Sequence, residues 1–176
     1  MGANGFIRKI ATIMSANVVG YSKLMDDDET ATAQTLTLYK NEMAALINQH
    51  RGRVIDFSCN NMLSEFAIAM DAVKCAVAIQ KEFISRNTAL PENRKMRFRM
   101  GINLGKVIQE EDRIFGDCVN IVERLKSLAD PGGITVSKTV FDQIENKLPL
   151  GYQYLGEHSV NNISEPVRVY KVFIQQ

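Results

Sequence analysis

Residues 10–19 read IATIMSANVV, a run of apolar and small side chains that stops at Gly20. A bilayer span needs about 18 apolar residues, so this run is too short to cross one. Its composition and the glycine at its end describe a buried strand that breaks sharply. A strand hidden on both faces needs partners on either side and a covering layer above and below. The rest of the chain has to supply them.

It does so by alternating two periods. Asp26, Asp27, Asp28 and Glu29 crowd the start of a pattern that runs to about His50 and keeps Leu36, Tyr39, Met43, Leu46 and Ile47 at helical spacing. Acidic side chains suit the positive end of a helix, and Gly52 closes it. Residues 53–57 and 62–66 are short apolar runs joined by Ser58-Cys59-Asn60-Asn61, which predicts a hairpin with a polar tip. Residues 69–87 form a second amphipathic helix. Pro91 then breaks the chain before the alternating strand 96–104 (MRFRMGINL), with a turn expected at Gly105 and more sheet at 107–109. A charged loop, 112–117, precedes a third helix, 118–128. Asp130-Pro131-Gly132-Gly133 is a turn, 134–136 a short strand, and Ser137 is positioned to cap a helix over 138–145. Residues 151–174 suggest two strands around a loop containing Pro166. The order β-α-β-β-α-β with C-terminal additions predicts an α/β (α+β), ferredoxin-like fold, with one mixed sheet covered by helices. The whole chain, 1–176, reads as one domain.

Charge narrows the function classes. The 21 basic and 20 acidic side chains leave a net charge of +1, so no global field attracts nucleic acid or an anionic membrane. The three cysteines, Cys59, Cys75 and Cys118, are odd in number and none is paired at metal-site spacing. A reduced, cytoplasmic protein without a thiolate zinc site is the expectation. The N-terminus has no apolar run with a cleavage site behind it, so no secretory signal is expected.

Three places can carry chemistry. The strand ending Asn17-Val18-Val19-Gly20-Tyr21-Ser22 turns into a helix and presents backbone N–H groups to phosphate oxygens. Asn60 sits at the hairpin tip. Asn120 and Arg124, four apart, share one helix face and bring an amide and a guanidinium together. Taken singly, each also describes an ordinary turn or a solvated helix face.

Together, the ordered segments NVVGYSKLM, RGRVIDFSCNNMLSEF, FRMGINLGKV, RIFGDCVNIVERL, DPGGITVS and PVRVYKV resemble the class III nucleotidyl cyclase catalytic domain over about residues 8–173. The resemblance implies a homodimer with two shared sites and two divalent metal ions, Mg²⁺ or Mn²⁺, which activate a ribose 3′-hydroxyl for attack on the α-phosphorus. The products are a 3′,5′-cyclic nucleotide and pyrophosphate. The family's two metal-binding aspartates fall on Asn17 and Asn60, with Val18 beside the first. Val18, Val19, Gly20, Tyr21 and Ser22 match the phosphate loop, and Lys106 falls where a basic residue contacts the triphosphate. Asn120 and Arg124 match the catalytic pair that orients the ribose and stabilises charge, supplied by the other subunit. A further family lysine has no clear counterpart in Val160-Asn161-Asn162-Ile163.

Both carboxylates have become amides while the rest of the site persists. That pattern favours an Asp-to-Asn form of an active enzyme, expected to hold nucleotide without turning it over; a natural pseudo-cyclase that binds nucleotide or regulates a partner is the alternative. The family's adenine-reading lysine falls on Asp56 and its aspartate on Arg113, or on Asp112 with a one-residue slip in the loop. An acceptor at 56 and a donor at 113 fit the imide edge of UTP or GTP, unless the two simply pair with each other at the surface. The length of Arg113 favours the pyrimidine. A cyclase domain without sensor or membrane segment is also similar, more loosely, to the pyrimidine (uridylate) cyclases of Pycsar antiphage systems. That similarity implies a cyclic UMP second messenger in antiviral defence.

Overall fold

A computed structural model describes residues 5–174. Its spine is β1 (Phe6–Val18), paired antiparallel along its whole length with β4 (Phe98–Glu110) and at its C-terminal half with β3 (Asn61–Phe66). The sheet runs β2 (Gly52–Ser58), β3, β1, β4, β6 (Ile134–Ser137), β8 (Val167–Phe173), β7 (Gly151–His158), with β5 (Arg113–Phe115) paired to the end of β4. The order β2-β3-β1-β4 is that of the split βαβ core; the parallel pairing of β4 with β6 makes the sheet mixed.

The two faces of β1 are distinct. Met14, Ala16 and Val18 point into a core shared with α2 (Glu29–Gln49), α3 (Ala69–Asn87) and α5 (Lys138–Ile144). Ala11 and Ile13 point the other way, into a smaller cluster with Cys118 and Val122 of α4 (Asp117–Ser127). Coverage on both faces explains why this stretch is continuously apolar rather than alternating. On the first face Leu36, Tyr39, Met43 and Ile47 of α2 form one buried stripe, and the Tyr39 ring stacks on Phe83 at 4.5 Å between centroids.

Several boundaries differ from those read in the sequence. β1 begins four residues earlier, at Phe6. The helical stretch before His50 is two helices, α1 (Tyr21–Asp27) and α2, separated by Asp28, whose extended backbone and side chain, accepting from Ala31 N at 3.0 Å, cap the second. Gly105 is not a turn: it pairs with Ala11 inside β4. There it faces Cys118 of α4, whose side chain an added methyl would meet at 3.6 Å, an ordinary contact. The chain reverses later, at Glu111 (φ 56°), and the expected charged loop contains β5. Ser137 occupies the N-cap position of α5 without capping it; its hydroxyl lies 2.9 Å from that of Thr139.

Candidate functional site

The hairpin tip is a two-residue turn, Cys59-Asn60, with Cys59 at φ 55°. It is stitched to the end of β1: Val18 N donates to Asn60 O at 3.2 Å, and Asn60 Nδ2 donates to Val18 O at 3.4 Å. Asn17 and Asn60 are thereby brought to one place. Gly20 adopts the left-handed conformation (φ 65°) that turns the strand into α1. Val18 N and Val19 N are already committed, the latter to Arg97 O at 2.8 Å, so the loop's uncommitted N–H groups begin at Gly20. Burial, then the neighbouring Cys59 side chain, pushes the Tyr21 phenol above its ordinary range.

Asn120 and Arg124 are exposed on α4 and line a cavity of about 490 Å³ with Ser159, Asn161 and Asn162. Asn17 and Asn60 do not line it. Within one chain, then, the Asn17/Asn60 corner and the Asn120/Arg124 pair lie in separate places. Lys106 is exposed on β4, seven residues beyond Arg99, the ladder partner of Asn17. That is roughly 23 Å of extended strand, so the fold does not bring it to the phosphate loop of its own chain. Asp56 accepts a hydrogen bond from Ser58, and Arg113 lays its guanidinium 5.7 Å from the Phe115 ring centre. Among the described residues no ion pair joins Asp56 to Arg113. Their ladder levels, at Gly101 and Glu110, lie nine residues apart on β4.

Sequence reasoning missed a buried polar network beside Asn17. Ser15 Oγ donates to Glu123 Oε2, and Lys126 Nζ donates to both Glu123 Oε1 and Asn61 Oδ1, each at 2.6 Å. Asn61 is the cross-strand partner of Asn17, so their side chains emerge on the same face about 5 Å apart.

Two divalent ions do not fit this donor set. Mg²⁺ and Mn²⁺ favour carboxylate oxygen, whereas positions 17 and 60 offer neutral amides and the Val18 carbonyl already accepts from Asn60. Among the described residues no three His, Cys, Asp or Glu side chains form a metal cluster.

The family model for the adenylate and guanylate cyclase catalytic domain matches residues 8–172. The putative adenylate cyclase 3 of Rhizobium meliloti is 36% identical over 171 residues, covering 97% of this chain and 29% of that protein. The chain therefore spans less than a third of that relative. An adenylate/guanylate cyclase/hydrolase from Silicibacter pomeroyi superposes with a TM-score of 0.90 at 32% identity, over 97% of this chain and 99% of that one. The non-canonical dimeric guanylyl cyclase domain of the RhoGC fusion protein from Blastocladiella emersonii shares the fold, with a TM-score of 0.79 at 19% identity over 97% and 99% of the two chains. A family match over nearly its full length, with a relative 36% identical across it, places the chain in the adenylate and guanylate cyclase catalytic-domain family.

Proposed function

We propose that this chain is a cyclase domain that dimerises and holds a nucleoside triphosphate at the interface without cyclising it. The observation that carries the reading is the contrast between its halves. Asn120 and Arg124 line an open cavity, whereas Asn17 and Asn60 have no carboxylate and lie beside the Glu123–Lys126 ion pair. That pair favours a natural pseudo-cyclase over an Asp-to-Asn form of an active enzyme, because two substitutions made to stop turnover would leave the surrounding groups untouched. A cyclic second messenger, including a cyclic UMP signal in antiviral defence, then falls to a competent cyclase with which this chain pairs. The separation of the Asn17/Asn60 corner from Asn120 and Arg124 within one chain supports sharing between two.

For the base, Asp56 and Arg113 are exposed and not bound to each other; they lie nine ladder levels apart in one chain, so an acceptor and a donor reach one imide edge only if the two subunits supply one each. UTP and GTP both present that edge; the reach of Arg113 favours UTP, the names of the relatives favour a purine. Calorimetry on the chain with ATP, CTP, GTP and UTP in turn separates these readings. UTP, with GTP next, should bind at least tenfold more tightly than ATP or CTP, and Arg124→Ala should weaken binding. No binding by any of the four overturns the nucleotide reading, and equal binding by all four overturns the assignment of Asp56 and Arg113.

A further inference from the structure

Lys126 and Glu123 are three residues apart, on one face of α4, and that face rests on the sheet. The helix lies unusually close there because Gly101 of β4 has no Cβ: an added one would stand 2.5 Å from the backbone nitrogen of Lys126. The approach carries the Lys126 side chain inward until only 9% of it is exposed. Its ammonium then bridges α4 to β3 through Asn61, while the Glu123 carboxylate bridges α4 to β1 through Ser15. Ser15 precedes Asn17 by two residues on the same face, and Asn61 stands across from Asn17. A fixed positive charge is therefore held one side chain away from the place a divalent cation would need.

We propose that Lys126 closes this half-site to divalent metal, so that the missing carboxylates are only part of what disables it. The inference rests on the reading of Asn17 and Asn60 as a former metal site. An ammonium has three donors, and Glu123 and Asn61 take two of them. If aspartate were restored at 17 and 60, the third would turn to a new carboxylate, and the resulting pair would compete with the metal for the same oxygens. Restoring the two aspartates alone would then leave the site shut. Opening it requires removing the internal cation as well.

The test measures Mn²⁺ binding by the loss of its free electron paramagnetic resonance signal, with no nucleotide present, so its outcome does not depend on whether the chain binds nucleotide. Three proteins are compared: the chain itself, the Asn17→Asp/Asn60→Asp form, and that form with Lys126→Gln added. Glu123→Gln combined with Lys126→Gln supplies a fourth, in which no carboxylate is left without its partner; thermal melts confirm that each is folded. The Lys126→Gln forms should bind Mn²⁺ at least tenfold more tightly than the form with the two aspartates alone. Equal affinity in the presence and absence of Lys126, including no binding by either, overturns the proposal.

Discussion

Gly101→Ala tests the close approach of α4 to the sheet. A methyl at this position would meet Lys126 N at 2.5 Å, Val122 O at 2.9 Å and Leu125 C at 3.0 Å. All three atoms are helix backbone, so no side chain can rotate out of the way; the helix itself must lift. Overpacking of this kind costs about 1–3 kcal/mol, and a contact wholly with backbone belongs near the upper end, about 3 kcal/mol. For a chain of this size each kcal/mol lowers the melting temperature by about 2–4 °C, which gives a drop of about 6–12 °C. Gly105→Ala is the matched control, on the same strand and facing the same helix. Its methyl would meet only the Cys118 side chain, at 3.6 Å, an ordinary contact. Lower chain entropy in the unfolded state then makes that change neutral or stabilising by about 0.5 kcal/mol. Circular-dichroism melts and urea titrations of the two variants read the difference directly. A Gly101→Ala protein melting within about 2 °C of its parent, or one no worse than Gly105→Ala, would refute the close-packing argument.

Two further predictions concern titration and thiol chemistry. Burial pushes the Glu65 carboxyl up, but hydrogen bonds from Lys9 and Arg53 together outweigh it and hold the group below the ordinary carboxylate range. A depressed folded value contributes stability that is present above the unfolded pKa and lost as pH falls through the folded one. Glu65→Gln should therefore cost about 1–2 kcal/mol near neutral pH and progressively less in acid, and a cost that stays constant across that range contradicts the assignment. Burial pushes the Cys75 and Cys118 thiols up to about 12, whereas Cys59 is exposed at the hairpin tip. Iodoacetamide under mild, non-denaturing conditions should add once, at Cys59, and mass spectrometry of the intact protein and its peptides would show any second adduct.

Strong periodicity made most of the fold legible. The apolar spacing of residues 69–87 gave the limits of α3, and the unbroken run before Gly20 identified the central strand. Local signals with two physical meanings were misread. Gly105 has the look of a turn because glycine usually breaks a strand, but here it lies inside β4, paired with Ala11 and facing a helix that arrives later in the chain. Four consecutive acidic residues look like one helix start, yet only Asp28 caps, and it separates two helices. At the site, the segments that end in Asn17 and Asn60 and the helix that carries Asn120 and Arg124 were all recognisable in order. Glu123 and Lys126 were not, because a Glu and a Lys three apart on a helix ordinarily mark a solvated face. A signal was present: both flank Leu125, one residue after Arg124, on a helix whose Cys118, Val122 and Leu125 are buried. What converts a surface pair into an inward one is Gly101, which is distant in sequence.

The Ser15–Glu123–Lys126–Asn61 chain also has a consequence for cooperativity. Glu123 lines the cavity of Asn120 and Arg124 and, at the same time, grips the strand that carries Asn17. In a two-fold dimer whose sites each draw one half from each subunit, α4 is a wall of one site and a roof over the other. If ligand held by Arg124 in the first site shifts α4, the ion pair that braces the second shifts with it, and in the proposed dimer the two occupancies are thermodynamically linked. The linkage has the same magnitude in either direction, and in an otherwise symmetric dimer it appears as two unequal binding steps rather than one.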